Sequence, residues 1–588
     1  YQPQPASYFN DLTRSLFAGN ISVDSVGKQY NVVNILSVNN KNIQKVKESL
    51  SEKDGFSFDI QSMNSAIANH LSNDFNYIGF ACGLIVFFFL WLSFGNLELA
   101  LLSFIPMAVS WIWILGIMAL FGMEFNIVNI ILATFIFGQG DDYTIFMTEG
   151  SMYEYAYRRR MLASYKHSII ISALIMFIGI GTLIVARHPA LHSLAEVTIA
   201  GMFSVVLMAY IFPPLIFNFL VKSGDKYRVR PLSIKNLVIM GLCAIVFFIQ
   251  LFTVYVLGFI LLELLPFSER KRAWLRRYQQ RLFLFDLRHI PHVKFRIEGL
   301  TENTLASSSI IVSNHQSMLD AAVFMAMSPK TILISNEKVS YNPVIRHIYK
   351  WNGFITLAGK DSIDDELIKK YIERGYSFVI FPEGKRNDNS SICRFHKGAF
   401  LLAERYQLDI LPVIIHGLNV VLPRNSFQVF PGNITIKVYK RISVEGQQSY
   451  NELTSLVYDF YKREYKTLTR ELETAAYYVP LVKDRYRYKG VDSYRNVCKN
   501  LKHNDNYAKW IDTEDVHPVV IVKNSGYGEF ALLYALVHRS TQVFVFEQDE
   551  NTASMLTYCA KDIVDNLEVI DNMDIDKEKY PEAKVFSL

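Results

Sequence analysis

The sequence predicts a multidomain membrane protein: an α-helical transmembrane bundle, then an α/β domain, then a shorter second α/β region. Three observations carry that expectation. Apolar runs of spanning length crowd residues 76–221, strand-like and helix-like segments alternate from about 290 to 445, and a second alternation around a glycine turn fills 511–588. At 588 residues the chain has room for three or four domains. Half of it is hydrophobic (51%) and the mean hydropathy is positive, which is high for a wholly soluble protein. A net charge of only +5 makes no global case for nucleic-acid binding. Cys82, Cys243, Cys393, Cys498 and Cys559 are scattered, with no C-x-x-C or Cys/His cluster. Neither a metal site nor a disulfide framework is therefore expected.

Residues 1–74 are polar and mixed. "NVVNILSV" reads as a strand and "NNKNIQKVKESLSEKDG" as an amphipathic helix ended by Gly55. The chain opens without Met or a signal peptide, in what reads as mid-domain, so a piece of a longer protein is expected.

Residues 75–225 hold five apolar runs, near 76–93, 100–122, 125–147, 167–186 and 197–221. Each can cross a hydrocarbon layer of roughly 30 Å. The basic connections "YRRRMLASYK" and "KSGDKYRVRPLSIK" are predicted to face the cytoplasm, which leaves 1–74 on the outer side. Within the third run, "FGQGDDYTIF" sets Asp141 and Asp142 side by side. Carboxylates at that depth mark an ion path or proton relay, unless the span ends at Gly140 and leaves both in interfacial water. Gly138 and Gly140 would let a neighbouring helix approach closely.

The stretch "FGNLELALLSFIPMAVSWIWILGIMALFGMEFNIVNIILATFIFGQGDDYTIF" resembles the second half of a resistance-nodulation-division exporter of the mycobacterial-membrane-protein-large type. The resemblance covers about 1–225 and makes 1–74 the end of an extracytoplasmic exporter domain. It implies a proton relay of Asp141, Asp142 and Tyr143, with Asp142-Tyr143 matching the family's G-x-x-x-D-Y. Such exporters have two six-span repeats, so the resemblance also implies another half, upstream or in another chain.

Residues 236–285 follow. The apolar stretch from Leu237 to Pro266 has basic residues on both sides: Arg228, Arg230 and Lys235 before it, "ERKRAWLRRYQQR" after it. A single crossing would put one basic cluster outside, whereas a hairpin or shallow insertion keeps both inside, and the hairpin is the expectation. Residues 268–285 read either as a basic segment lying on an anionic leaflet or as an ordinary solvated helix.

Across 286–445 the strand candidates are "VKFRIEG", "SSIIVSN", "TILISN", "YSFVIFP", "DILPVII" and "ITIKVYK", with helices between them. Polar residues gather at the strand ends, where an α/β sheet presents its site. In "SNHQSMLD", Ser317 and Asp320 resemble a capping box with Asp in place of Glu. The same Asp320 can reach back to His315, hold its tautomer and stabilise the imidazolium formed when His315 takes a proton. Downstream come "FPEGKRNDN" with Glu383, Gly384 and Arg386, "RFHKGAF" with Lys397, and "ILPVIIHG" with Pro412. Arg386 and Lys397 suit a phosphate, and Glu383 can shape an acceptor site by hydrogen bonding.

These ordered blocks, "NHQSMLD", "FPEGKR" and "LPVIIHG", resemble those of the glycerolipid acyltransferases that include the 1-acyl-sn-glycerol-3-phosphate acyltransferases. The resemblance implies that His315 is a general base for transfer of an acyl group from a thioester to a lysophospholipid hydroxyl. Asp320 would orient it, and Glu383, Gly384, Arg386, Lys397 and Pro412 would form the substrate site. Acyl-CoA or acyl carrier protein would be the co-substrate, with no cofactor or metal. One departure stands out: the second block, usually G-x-x-F-I-x-R, reads "WNGFITLAGKD" without an arginine, and Lys360 is the nearest stand-in.

Residues 446–510 read as a Tyr-rich helical linker. In 511–588, "PVVIVKNSGYGEFALLYALVHRSTQVFVFEQDE" gives strand, glycine turn, helix and strand, with Glu547 ending the second strand. This resembles the start of a class I methyltransferase, a Rossmann-like α/β fold. The resemblance implies S-adenosylmethionine at Gly526, Gly528 and Glu547, although the motif lacks a third glycine. Taken together, the chain is expected in the bacterial inner membrane, multi-pass, with its acyltransferase and C-terminal domains in the cytoplasm and membrane lipids as partners. The competing expectation is a proton-coupled lipid or drug exporter whose acyltransferase domain is accessory.

Overall fold

The structure, a computed structural model, describes residues 21–24, 29–33, 35–39, 42–51, 60–123, 127–336, 343–357, 364–387, 391–424, 426, 428–445, 449–503, 505–512, 516–570, 580 and 582–588. It forms two compact units, Tyr1–Cys82 with Phe125–Ile131, and Gly83–Glu124 with Leu132–Leu588. In the first, strands β1 (Ile21–Asp24) and β2 (Gln29–Val32) pair antiparallel ahead of the helix Ile43–Ser51. The strand expected at 31–38 is thus confined to its first residues, and Gly55 lies outside the described residues.

Helix Ile60–Phe94 runs from that unit into the second. There, helix Leu97–Phe121 starts where the Asn96 side chain accepts the Glu98 amide and stops at Gly122, whose φ is +66°. Helices Ile127–Tyr157, Leu162–Gly181 and Pro189–Val221 follow, then the short antiparallel strands β3 (Lys222–Ser223) and β4 (Lys226–Tyr227). Four described helices are long and apolar enough to cross a membrane: Leu97–Phe121, Leu162–Val185, Pro189–Val221 and Ile234–Leu264. Phe80–Phe94 is a shorter apolar stretch. Small residues set the helix contacts. A Cβ on Gly201 would lie 2.9 Å from Ile136, and one on Gly140 3.0 Å from Val205, whereas Gly138 faces open space. Only one of the two expected contact glycines serves, because residues two apart on a helix point about 200° apart.

A hairpin was expected at 237–266, and the structure corrects it. Helix Ile234–Phe259 continues into a single π turn, Ile260–Leu264, with no break. The sequence offers no Gly-Pro or polar turn between Asn236 and Pro266, and an apolar run without such punctuation stays helical. Its start is fixed to the bundle, where Glu98 Oε1 accepts the Ile234 amide at 3.0 Å. Its second half is fixed to the next domain. Gln250 donates to Asp286 at 2.8 Å, Trp351 donates to Glu263 at 3.0 Å, and a Cβ on Gly258 would meet the Trp351 ring at 2.4 Å. Helix Glu269–His289 then turns back along it and packs on helix Asp320–Met327.

Strands β5 (Val293–Glu298), β6 (Ile310–Ser313), β7 (Thr331–Asn336), β8 (Ile355–Leu357), β9 (Ser377–Ile380), β10 (Ile410–His416) and β11 (Gly432–Val438) form one sheet in the order β5-β11-β10-β6-β9-β7-β8. All neighbours are parallel except β10 and β11. Both β6 and β10 are buried along their whole length, as expected of central strands covered on two faces.

The segment expected to be a linker is instead a packed layer. Leu453, Val457, Tyr461 and Tyr465 of helix Tyr450–Leu472 are buried against the first sheet. Tyr478, Val482 and Tyr486 of helix Ala475–Tyr486 are buried against the second. That second sheet has β12 (Val519–Lys523), β13 (Gln542–Phe546), β14 (Leu567–Ile570) and β15 (Lys584–Ser587), all parallel, in the order β14-β13-β12-β15. The reversal beside β12 is the Rossmann-like winding expected from the glycine turn. A polar seam joins this region to the bundle. Arg230 pairs with Asp484 at 2.9 Å, and Arg485 donates to the carbonyls of Val229, Tyr558, Cys559 and Lys561. Lys489, fully buried, reaches Cys559 Sγ at 3.1 Å.

Candidate active site

The turn leaving β6 carries the site. Helix Asp320–Met327 begins at Asp320 itself, with Leu319 as its N-cap. The capping box expected at Ser317 is therefore corrected: Ser317 Oγ donates to the Leu422 carbonyl at 3.1 Å and, among the described residues, accepts only the Leu319 amide, at 3.5 Å, while Asp320 takes the amides of Gln316 and Ser317. Asp320 Oδ2 accepts the amides of Gln316 at 2.7 Å and Ser317 at 3.0 Å and lies 2.6 Å from His315 Nδ1. The reason is geometric. The turn folds back over the first helical residue, so one carboxylate meets two otherwise orphaned donors and the imidazole. Asp320 is completely buried, while the His315 side chain keeps 25% of its surface exposed. The His315 ring stacks on Phe381 with 4.4 Å between centroids. Among the described residues its Nε2 has no partner, and that edge is free for a substrate.

Residues after β9 close the other side. Glu383 is buried, and its carboxylate accepts the His315 amide at 3.0 Å and the Cys393 amide at 2.9 Å. Burial pushes the Glu383 carboxyl up, and the two amide bonds pull partly against that shift. Glu383 thus sits under the site as a brace rather than on its rim. Gly384 has φ +67°, and a Cβ there would come within 3.0 Å of the His396 ring, so the turn requires glycine. Arg386 is half-buried with an unpartnered, buried Nη1, and the Asn387 amide beside it donates to the His315 carbonyl at 2.8 Å.

Two expected substrate residues lie elsewhere. Pro412 is buried inside β10 in register with Val312, so its ring packs within the sheet and cannot reach a ligand. Lys397 caps helix Gly398–Tyr406, and its Nζ stands 5.9 Å from the Tyr450 ring centroid, its described contact. Lys360 lies outside the described residues.

Sequence reasoning missed the groups that hold the turn from behind. Asn314 makes a paired contact with Ile415, accepting its amide and donating to its carbonyl, both at 2.8 Å. Gln316 donates to Tyr465 at 3.0 Å and accepts the Leu418 amide at 3.2 Å. Tyr461 donates to Val312 and accepts the Val413 amide, bridging β6 and β10. Buried His416 meets Glu473 at 2.9 Å, and Tyr478 donates to the other Glu473 oxygen. The available signal was the spacing Tyr461, Tyr465, Leu468, Leu472, one face of a helix within the Tyr-rich stretch.

In the bundle, helix Ile127–Tyr157 runs unbroken through the acidic pair, so the helix does not end at Gly140. Asp141 is buried with an unpartnered Oδ1, and Asp142 is exposed. Adjacent helical residues point about 100° apart, so only one of the pair can face the packed interior. Tyr143 is also buried, between Gln139 at 3.2 Å and Ser172 at 3.1 Å.

The C-terminal turn does not make a cradle for S-adenosylmethionine. The Cβ direction of Gly528 is filled by Leu556 at 2.5 Å, so this glycine serves internal packing. The buried Glu529 carboxylate accepts the amides of Tyr527 and Glu529 at the start of helix Glu529–Val537. Glu547 instead borders a 470 Å³ cavity with Gln548, Glu550, Ser554, Tyr558 and Val569, which neither glycine lines.

Residues 294–416 match the Acyltransferase family and residues 42–232 the MMPL family. Over 159 residues the chain is 30% identical to a chloroplastic 1-acyl-sn-glycerol-3-phosphate acyltransferase of Arabidopsis thaliana, covering 26% of this chain and 44% of that protein. Over 167 residues it is 25% identical to a 1-acyl-sn-glycerol-3-phosphate acyltransferase of Cocos nucifera, covering 26% and 52%. The chain thus spans about half the length of the curated relatives it matches. It is also similar to the solved 1-acyl-sn-glycerophosphate acyltransferase of Thermotoga maritima: 21% identical, 40% of this chain, 97% of that one, TM-score 0.35.

Proposed function

We propose that the chain transfers an acyl group from a thioester, acyl-CoA or acyl carrier protein, to the hydroxyl of a lysophospholipid such as 1-acylglycerol-3-phosphate. The observation that carries this reading is the His315–Asp320 pair, 2.6 Å apart, with the imidazole's outer edge exposed. Asp320 fixes the Nδ1–H tautomer, leaving Nε2 as the base. His315 Nε2 takes the proton from the acceptor hydroxyl as its oxygen attacks the thioester carbonyl carbon. A new C–O bond forms, the C–S bond breaks, and the thiol leaves with the proton that His315 returns. No protein nucleophile is needed, since the acceptor brings its own.

The membrane elements suit a lipid acceptor. Arg270, Trp274, Arg277, Arg281 and Phe285 are all exposed and share one face of helix Glu269–His289, a basic and aromatic stripe fitted to an anionic leaflet. Helix Ile234–Phe259 exposes Leu242, Ile245, Phe248, Ile249 and Phe252. One end is fixed to the bundle at Glu98 and the other to the catalytic domain at Trp351. That tethering favours a helix lying in the cytoplasmic leaflet over one that crosses it. The decisive experiment compares wild type with His315→Ala in proteoliposomes given labelled acyl thioester and 1-acylglycerol-3-phosphate. A loss of about 10²–10⁴-fold is expected, and equal incorporation would sink the reading.

A second activity, proton-coupled transport by the MMPL-family region together with a further exporter half, is favoured by the buried, half-unpartnered Asp141. Asp141→Asn should abolish proton-driven efflux and leave acyl transfer intact.

A further inference from the structure

We propose that Arg424 is a second guanidinium of the acceptor's phosphate site, a role for which the second sequence block offers no arginine. The inference rests on the acyl-transfer reading and deepens it. Arg424 follows the short helix Leu418–Val421, on a segment pinned to the catalytic turn by the Ser317–Leu422 hydrogen bond. From there Arg424 Nη1 reaches the carbonyl of Arg386 at 3.5 Å. Arg386 in turn precedes Asn387, whose amide donates to the His315 carbonyl. Two arginines therefore lie on adjoining segments bonded to the His315 turn, one beyond β9 and one beyond β10.

Neither guanidinium has a carboxylate partner among the described residues, and Arg386 Nη1 is buried without any partner. The site's own carboxylates pair with neither arginine: Glu383 holds two main-chain amides, and Asp320, through Oδ2, two more and His315. A buried guanidinium nitrogen without an acceptor costs free energy, and exposed Arg424 rests on the Arg386 main chain with no counter-ion among the described residues. A phosphate monoester reaching both supplies that acceptor and the missing counter-charge. It brings up to two negative charges and several oxygens, and planar guanidiniums grip such oxygens in pairs. A neutral headgroup would leave the buried Arg386 nitrogen without an anionic acceptor, so the pair selects a phosphate-bearing acceptor.

The test uses the full chain in proteoliposomes, with acyl-CoA and 1-acylglycerol-3-phosphate varied independently. Arg424→Ala should raise the acceptor KM about 10- to 100-fold, the range for losing a charge-assisted hydrogen bond. Both kcat and the thioester KM should stay within about threefold, since the base and donor site are untouched. Arg424→Lys should recover part of the acceptor KM, because it restores charge without the fork. An unchanged acceptor KM, or acceptor and donor KM rising together, overturns the assignment. Wild type that acylates no lysophospholipid overturns the acyl-transfer reading instead.

Discussion

Asp320 and Glu383 show how little of the site's side-chain chemistry is aimed at substrate. Both carboxylates are buried, and Glu383 spends both oxygens, Asp320 its Oδ2, on main-chain amides of the turn and its surroundings. An amide side chain cannot do the same, because its nitrogen donates where Glu383 must accept twice. Glu383→Gln should therefore leave one buried N–H unpaired, at about 1–3 kcal/mol. Displacing the turn should lower kcat by on the order of 10- to 100-fold with little change in acceptor KM. Steady-state kinetics and a thermal midpoint on the same protein would check both, and an unchanged kcat would argue against the bracing role. At this scale the His315–Asp320 pair was legible because both residues belong to one turn. Glu383 was legible as a site residue but not as a brace, since its partner is 68 positions away. Asn314 was passed over for the same reason: it meets Ile415, 101 positions downstream.

Helix Ile234–Phe259 marks the limit of reading elements from hydropathy and charge alone. Its apolar run was plain in the sequence, but the choice between hairpin and straight helix turned on contacts made by Gly258, Glu263 and Gln250 with residues of the next domain. Gly258 is the tightest of these, since any side chain would enter the Trp351 ring. Gly258→Val should cost about 1–3 kcal/mol through overpacking. It should also loosen the helix from the catalytic domain, read as faster proteolysis near Pro266 in a detergent-solubilised sample. An unaltered cleavage pattern would show that the contact does not hold the helix. Six of the seven strands of the larger sheet, and β12 and β13 of the other, were legible as elements, because buried parallel strands read as short apolar runs; three-residue β8 was not. Their order was not, and neither was the role of helix Tyr450–Leu472, whose tyrosine face declares itself only once β6 and β10 lie beside it.

Across the whole molecule, the modules are joined by a seam that is mostly cationic. Burial lowers the Lys489 ammonium to about 8, partly offset by the neighbouring Cys559. The native protein thus sheds this proton before the unfolded chain does, so the lysine's penalty is full below about pH 8 and fades as pH rises toward its ordinary value near 10.5. Lys489→Met removes the buried charge at similar volume. It should raise stability at pH 7 by at most roughly 3 kcal/mol and flatten the rise in unfolding midpoint between about pH 8 and 10. A midpoint unchanged at neutral pH would contradict this. None of the seam was legible in the sequence, since scattered Arg and Lys there look like surface charge until their partners are known. Its partners are also remote: Arg485 meets Val229 across 256 positions and Lys561 across 76. A chain leaving the ribosome at about 5–20 residues per second exposes Arg485 and Lys489 for several seconds before residues 558–561 emerge to receive them. During synthesis the bundle and the helix Ala475–Tyr486 therefore wait with an open, positively charged flank, and any holding factor that attends the nascent chain has its longest opportunity there.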